Sequence, residues 1–342
     1  DDSSSKVRSY LEGLLKIPFG IFKKESILCI MDDLIDLLKK SSNKNNKYLM
    51  ISEDNVIDNT DVIKIYHKSK KMIKSDSKEE LKNIIYELDK NGIEEKVKVY
   101  NDKNNKDAKI KLPKTIKKMR EYLSEMIEDV NKFDIVKTIL KHKSKIPKEV
   151  KTINENFVKI NDYLNNVDKT LDDSIYGHEE AKLQIKRVIG QWINGKNTGY
   201  CFGFEGPPGV GKTSIVKNGI AKCLKDENGE DRPYGFIAIG GSSNGSTLDG
   251  HNYTYVGSTW GKIVEILMES KCMNPIIFID EIDKVSRTES GKELIGILTH
   301  LVDPSQNEKF QDKYFTGIDL DLSKVLFVFS YNDVELMDSI LL

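Results

Sequence analysis

The spacing of apolar residues divides the chain into two parts of different character. Up to about Thr170, apolar positions recur every three or four residues in ESILCIMDDLIDLLKK, SKEELKNIIYELDK and TIKKMREYLSEMIEDV. This spacing predicts amphipathic helices over 25–40, 77–90 and 115–130. Two short runs, KYLMI and DVIKIY, are typical of strands instead. We therefore expect a mainly helical first part that is rich in Lys and Asn, and no motif in it indicates a particular chemistry.

From Leu171 onward, short apolar runs alternate with helical patterns. The runs YCFGF, YGFIAI, PIIFID and VLFVFS have strand length, whereas SIVKNGIAKCL and GKIVEILMES have helical spacing. This alternation predicts an α/β fold in which a parallel sheet carries helices on both faces. Because ligands of such sheets bind beyond the carboxyl ends of the strands, functional residues are expected directly after each run.

Composition narrows the classes of function. The 342 residues suffice for two or three domains, and 53 Lys+Arg against 54 Asp+Glu give a net charge of -1. Such a chain has no overall field that would draw it to nucleic acid or to a membrane. Its four cysteines are widely spaced, which argues against a zinc cage or a disulfide framework. We expect a soluble intracellular protein, cytoplasmic or in an organelle matrix, with no visible targeting segment and no membrane partner.

The stretch after the first apolar run, GPPGVGKT, fits the phosphate-loop pattern G-x-x-x-x-G-K-[ST]. In that pattern backbone N–H groups wrap the phosphates, Lys212 reaches the β- and γ-phosphates, and the hydroxyl of Thr213 binds Mg²⁺. The alternative is a glycine-rich turn that matches by chance. The predicted ligands of ATP with Mg²⁺ are Gly206, Pro207, Pro208, Gly209, Val210, Gly211, Lys212, Thr213 and Ser214.

Two later runs supply further candidates. PIIFIDEIDK ends a buried run on Asp280, which can hold Mg²⁺, and Glu281, which can orient and polarise the attacking water. VLFVFSYN ends on Asn332, from where an amide can touch the γ-phosphate or the water. The alternatives are a solvated carboxylate pair and an Asn that caps a turn.

Two other patterns indicate different chemistries. Gly241–Gly245 fits the G-x-S-x-G pattern of serine hydrolases around Ser243, with His251 and His300 downstream, but a glycine-punctuated loop follows where that pattern needs a helix. The Lys-rich stretch Asp107–Arg120 could contact nucleic-acid phosphates. A solvated helix face explains it better, since no aromatic ladder accompanies it.

With these residues in place, Leu171–Leu342 resembles the AAA+ ATPase module of Lon-type ATP-dependent proteases. The shared features, in the family's order, are LDDSIYGHEEAK, GPPGVGKTS, TYVG, PIIFIDEIDK, LVDPSQNEKFQDKY and DLSKVLFVFSYN. A weaker similarity covers VRSYLEGLLKIPFG, which resembles the helix and Pro-aromatic corner before the family's ATPase. The resemblance implies a helical segment at 1–22, an insertion of unknown role at 23–165, and an AAA+ large subdomain at 166–342.

The resemblance also implies roles that the residues alone do not. Tyr176 and Gly177 would border the adenine, and Tyr255 with Val256 would face the pore of a hexameric ring and grip unfolded polypeptide. An aromatic side chain suits that contact because it offers apolar area without demanding a sequence. The alternative is that Tyr255 packs at a helix start. We expect the family's arginine finger, final strand, helical lid and Ser-Lys protease domain to follow Leu342 in a longer protein.

These observations together predict ATP binding and hydrolysis that drive unfolding and translocation of misfolded or targeted polypeptide for degradation. Two alternatives share the visible motifs. One is a protease-free AAA+ chaperone or unfoldase. The other is a nucleic-acid-acting AAA+ ATPase that uses the Lys-rich stretch.

Overall fold

A computed structural model of the protein describes residues 2–40, 57–104, 109–141, 146–195, 201–240 and 245–341. The chain forms two compact units. The first unit comprises Asp1–Met31 with Lys159–Leu342, and the second unit comprises Asp32–Val158. Each contains its own cluster of buried apolar side chains. The domain limits expected from the sequence remain predictions.

The first unit contains a four-stranded parallel sheet in the order β1-β4-β3-β2. Its strands are β1 Cys201–Glu205, β2 Tyr234–Ala238, β3 Ile276–Asp280 and β4 Leu326–Tyr331. All four coincide with the predicted apolar runs. The predicted α/β class and parallel sheet are therefore confirmed.

Burial follows the position of each strand in the sheet. The two central strands, β3 and β4, are buried along almost their whole length, which explains their continuous apolar sequence. β1 lies at the edge beside β4 and alternates between exposed and half-buried positions. The register pairs Glu205 with Tyr331 and Ala238 with Asp280, so the carboxyl ends of the strands lie along one edge. The loops that leave these ends can therefore meet.

Helices make up most of the remaining regular structure. One of them, α9, consists of a turn of α-helix (Lys212–Ser214), six residues of π-helix (Ile215–Ile220) and a last α-helical turn (Ala221–Cys223). No helix in the described part combines the length and apolar content needed to cross a bilayer. The described helices are α1 Asp2–Lys16, α2 Ser26–Lys40, α3 Asn59–Glu87, α4 Lys90–Lys103, α5 Ile116–Glu128, α6 Phe133–Ile139, α7 Lys148–Ser174, α8 Glu179–Ile193, α9 (Lys212–Ser214, Ile215–Ile220 and Ala221–Cys223), α10 Ser246–Asp249, α11 Lys262–Ser270 and α12 Glu289–Val302.

Helices are the only regular secondary structure among the described residues of the second unit, and its core joins apolar side chains of α3, α4, α5 and α6. The strand predicted at DVIKIY is wrong, because this run lies in the first turns of α3. The buried residues in the first three turns of α3, which are Val62, Ile65, Tyr66 and Ser69, follow helical spacing rather than alternation. A capping box at Asp58 also fixes the helix start there. The other predicted strand, KYLMI, lies outside the described residues.

The segment after α1 is tied to the amino ends of the strands. The N–H of Met273 donates to the carbonyl of Ile21 at 2.7 Å. The amide of Asn274 exchanges two hydrogen bonds of 2.8 Å with the backbone of Lys23. Two residues later, Glu25 accepts from Nε (2.7 Å) and Nη2 (2.6 Å) of Arg232, just before β2. Because only 4% of Glu25 and 8% of Arg232 is exposed, each charge depends on the other for compensation.

We predict that Glu25→Ala lowers the free energy of unfolding of the first unit by about 3–5 kcal/mol, because Arg232 is left as an uncompensated buried charge. The double variant Glu25→Leu/Arg232→Met should recover most of that loss. Urea unfolding followed by tryptophan fluorescence measures this unit specifically, since both tryptophans, Trp192 and Trp260, belong to it.

The matched control is Glu12→Ala, which breaks the exposed Arg8–Glu12 pair. It should cost less than about 1 kcal/mol, as surface pairs usually do. Equal losses in Glu25→Ala and Glu12→Ala would show that the Glu25–Arg232 pair is not structurally important.

Candidate active site

The predicted phosphate loop leads from β1 into α9. Its first N–H, that of Gly206, donates to the carbonyl of Tyr331 at 3.1 Å, which anchors the loop to the end of β4. Gly211 has a φ of +92° and immediately precedes α9. The positive φ favours glycine here, and a Cβ at Gly211 would lie 2.2 Å from Cδ1 of Ile175, so a larger residue would also have to displace that side chain.

The side chain of Lys212 turns back over the phosphate loop. Its Nζ donates to the carbonyl of Gly206, to the carbonyl of Pro207 at 3.4 Å and to Oδ1 of Asn332 at 3.0 Å. All three acceptors are neutral oxygens, and an anionic phosphate is a stronger partner for an ammonium group. The structure thus brings Lys212 and Asn332 together, as a shared nucleotide site requires. Thr213 is exposed at the start of α9, and Ser214 is half-buried beside it.

The helix that follows the phosphate loop is not a regular α-helix. Ile215–Ile220 is π-helical, and the N–H of Ala221 bonds to the carbonyl of Val216, five residues earlier. Gly219 lies in this segment, and a Cβ there would be 3.0 Å from Leu171 and from Ser174. The π-turn therefore lies where α9 packs closely against the end of α7. Single π-turns of this kind are frequent at functional sites.

β3 delivers the predicted carboxylates to the same edge of the sheet. Asp280 is half-buried, and its Oδ1 accepts from the N–H of Glu281 at 2.9 Å. Glu281 adopts a left-handed conformation with φ +61°, which is uncommon for a residue with a side chain. Its carboxylate pairs with Nζ of Lys284 and lies against Gly240 beyond the end of β2. The hydrogen bond from Lys284 to Glu281 raises the pKa of Lys284.

A carboxylate that the sequence analysis did not select connects two of these loops. Oδ2 of Asp283 accepts from the backbone N–H of Asn332 at 3.2 Å. Asn332 is thereby bonded on one side to Lys212 of the phosphate loop and on the other to the loop after β3. Position alone could not distinguish Asp283 from its neighbours, because three acidic residues stand within four positions of DEID.

The residues predicted to border adenine lie between α7 and α8. Tyr176 is 99% exposed, and Gly177 and His178 both have positive φ values, +73° and +57°. Nε2–H of His178 donates to the carbonyl of Val210 at 3.1 Å, so this turn is tied to the phosphate loop. His178 is a second residue that sequence analysis missed. Contact of Tyr176 and Gly177 with adenine remains a prediction.

The stretch with the predicted polypeptide contacts runs from Gly250 to Gly261. Tyr255 is 63% exposed and Val256 is 103% exposed. The alternative that Tyr255 packs at a helix start therefore does not hold. Tyr253 and Trp260 are instead half-buried against the core.

At the end of the stretch, the N–H of Gly261 donates to Oδ2 of the buried Asp312 at 2.8 Å. Burial raises the pKa of Asp312 to about 6, and its backbone hydrogen bonds oppose that shift.

The described residues assemble neither a serine-hydrolase site nor a metal site of three protein ligands. Ser243 lies outside the described residues, and both His251 and His300 are exposed. Where side chains are described, no group of three His, Cys, Asp or Glu residues could by itself hold a metal ion. The four cysteines, all of them described, form no disulfide with one another.

Comparison with known proteins is consistent with this geometry. Residues 202–342 match the model of the ATPase family associated with various cellular activities (AAA). A Lon protease homologue of Acanthamoeba polyphaga mimivirus is 40% identical over 192 residues, which are 56% of this chain and 18% of that protein. The Lon protease of Campylobacter concisus is 36% identical over 281 residues, 77% of this chain and 32% of its own length. A mitochondrial Lon protease homologue of Yarrowia lipolytica is 34% identical over 263 residues, 75% of this chain and 21% of its own length. The chain thus spans a third or less of each of these relatives.

We predict that Gly211→Ala weakens ATP binding by about tenfold or more, because a positive φ with a side chain costs of the order of 1–3 kcal/mol and the added methyl group meets Ile175. Titration with a fluorescent ATP analogue measures the affinity. The matched control is Gly229→Ala, which has a similar φ of +78° but open space around it and lies in a turn between α9 and β2. An equal, small effect of both variants would contradict the assigned role of Gly211.

Proposed function

We propose that this chain, which belongs to the Lon-type AAA+ ATPases, binds ATP and hydrolyses its terminal phosphoanhydride bond. One observation supports this more than any other. Lys212, Asn332 and Asp283 form a hydrogen-bonded series that connects the loops after β1, β4 and β3. A phosphate that enters at Lys212 would meet residues of all three loops.

The phosphate loop supplies the groups that would hold the triphosphate. Backbone N–H groups of Gly209, Gly211 and Lys212, at the start of α9, suit anionic oxygens. Lys212 would exchange its neutral carbonyl partners for β- and γ-phosphate oxygens. Asn332 already shares that ammonium group, so its amide would lie beside the γ-phosphate.

Thr213 and Asp280 fit Mg²⁺, since hydroxyl and carboxylate oxygens are ligands that this ion prefers. Asp280 uses one carboxylate oxygen to accept the N–H of Glu281, which fixes its orientation at the end of β3. When bound, Mg²⁺ would neutralise charge that builds up on the phosphates. Water and phosphate oxygens would supply the remaining ligands.

Glu281 is the residue that we assign to the attacking water. Its backbone conformation and its ion pair with Lys284 hold the carboxylate just beyond Asp280. A carboxylate in that position can orient water for in-line attack and take up its proton. Asn332 would act from the neighbouring strand as an orienting group for the same water or for the γ-phosphate.

The adenine end of the nucleotide would lie at Tyr176 and Gly177. The bond between His178 and Val210 ties their turn to the phosphate loop, so base and phosphate sites are mechanically connected. The ring of Tyr176 is almost fully exposed and offers a face on which a base can stack.

In the full-length protein, we infer that ATP turnover drives unfolding and translocation of polypeptide within a hexameric ring, for degradation. Support comes from the exposed Tyr255 and Val256 and from relatives named Lon protease. A protease-free unfoldase would share the same module. The Lys-rich stretch favours nucleic acid less, since Arg120 donates to the carbonyls of Tyr86 and Leu88 and so has a structural role. An intracellular location, cytoplasmic or in an organelle matrix, remains a prediction.

We predict that Lys212→Ala weakens ATP binding by on the order of a hundredfold, because a charge-assisted contact to phosphate is lost. Glu281→Gln should keep the affinity and reduce turnover by about 100-fold or more, since it removes only the group that activates water. ATP titration and phosphate release measure the two effects in parallel on the same preparations.

Lys217→Ala is the matched control, because it removes an exposed lysine from the same helix five residues later. It should leave affinity and turnover unchanged. Equal ATP affinity in the wild type and Lys212→Ala would disprove the assigned phosphate site. Undiminished turnover in Glu281→Gln would disprove the assigned water-activating residue.

A further inference from the structure

The exposed stretch Gly250–Gly261, here called the aromatic loop, has its own internal order. The N–H of His251 donates to the carbonyl of Thr259 at 3.0 Å, which closes the loop at its base. The N–H of Tyr255 donates to the carbonyl of Asn252 at 3.0 Å, and the hydroxyl of Ser258 donates to the carbonyl of Tyr253 at 3.2 Å. These short-range bonds shape the tip, but they do not attach it to the rest of the unit.

Attachment comes from an aromatic cluster that α1 shares with the loop. The ring of Tyr10 on α1 lies 5.2 Å from that of Tyr253 in an edge-to-face arrangement. The same ring lies 5.9 Å from Tyr314 and 5.2 Å from Phe315. Edge-to-face and tilted contacts at these distances are favourable arrangements for aromatic pairs. Tyr10 therefore links the loop to the segment before β4.

One turn further along α1, Gly13 provides the space that the other aromatic residue of the loop needs. A Cβ at Gly13 would lie 2.9 Å from the ring of Trp260 and 3.0 Å from that of Phe315. Trp260 stacks on Phe315 with 6.0 Å between ring centroids. The indole is therefore held between the backbone of α1 and the core, at the point where the loop joins α11.

α1 also reaches the exposed tip directly. Nζ of Lys6 donates to the backbone carbonyl of Tyr255 at 3.0 Å and lies 4.9 Å from the ring centroid of Tyr253. A charged donor on a carbonyl is a strong hydrogen bond, and an ammonium over a tyrosine face adds a cation–π attraction. The carbonyl that Lys6 holds belongs to the residue whose side chain projects into solvent beside Val256.

We propose that α1 is a brace that holds the aromatic loop in the conformation with which Tyr255 and Val256 grip polypeptide, and that Lys6 and Tyr10 are its positioning residues. The inference rests on the proposed function of those two side chains. The brace fixes the backbone under them while leaving their side chains exposed. A gripping side chain transmits force only if its backbone is held, so the loop needs an attachment of this kind.

The brace is tested first by hydrogen exchange of the loop amides, with this chain and without any substrate. Lys6→Met keeps the apolar stem and removes the donor, and Tyr10→Ala removes the ring. Each should speed exchange of the Tyr255 and Ser258 amides roughly three- to tenfold, the fold-change that one hydrogen bond or ring contact confers. Tyr10→Phe should keep exchange as slow as in the wild type, because the contacts of Tyr10 with the loop are made by its ring.

Lys16→Met is the matched control, since it makes the same substitution on the exposed last turn of α1. It should leave exchange unchanged. Thermal unfolding of Lys6→Met and Tyr10→Ala shows whether each variant is folded. Because Lys6 is only half-buried, Lys6→Met should shift the unfolding midpoint little.

The second test uses the full-length protein and degradation of fluorescein-labelled casein as the unfolded polypeptide. Lys6→Met should raise the casein concentration for half-maximal degradation severalfold, and Lys6→Arg should restore the wild-type value. Tyr255→Ala serves as the reference for loss of grip. Faster exchange together with weaker casein engagement in Lys6→Met supports the proposal.

Unchanged exchange in both Lys6→Met and Tyr10→Ala would overturn the brace and leave the proposed function standing. Faster exchange with normal casein engagement, while Tyr255→Ala loses it, would overturn the coupling between brace and grip. Normal casein engagement in Tyr255→Ala would instead show that the assigned role of the loop is wrong, and with it the inference built on that role.

Discussion

The ammonium group of Lys212 joins parts of the chain that are distant in sequence. It holds two carbonyls of its own loop and the side chain of Asn332, 120 residues later. Asn332 in turn donates its backbone N–H to Asp283 in the loop after β3. The parallel sheet makes this possible, since β1, β4 and β3 are neighbours and end along the same edge. We propose that phosphate, metal and water would bind at this edge, because each of the three strands contributes one loop to it.

The amino-terminal segment is attached to the rest of the first unit at two places. α1 contacts the aromatic loop between α10 and α11, through Tyr253 and Trp260. The residues directly after α1 pair with Asn274 before β3 and end on the buried Glu25–Arg232 ion pair before β2. A substitution that loosens the first attachment should therefore change the order of the aromatic loop. A substitution that loosens the second should change stability at the amino ends of the strands.

Much of this arrangement was predictable because it follows from local pattern. Continuous β-branched and aromatic runs identified the four strands, and glycine spacing with a following lysine identified the phosphate loop. DVIKIY was predicted wrongly because six residues fit both an alternating and a helical period, and only the capping box at Asp58 and the burial of Ser69 favour the helix. Asp283 and His178 act through backbone groups of distant loops, so no local signal indicated them. The packing of Tyr253 and Trp260 had no local signal either, since their partners on α1 lie about 240 residues earlier.

Hydrogen exchange of this chain with and without a non-hydrolysable ATP analogue and Mg²⁺ tests the central claim most directly. If three loops form one nucleotide site, binding slows exchange in 206–214, 280–284 and 331–333 together, at the same ligand concentration. Protection confined to 206–214, with the other two segments unchanged at saturation, would contradict the account, because the phosphate loop would then bind nucleotide without the residues assigned to metal and water.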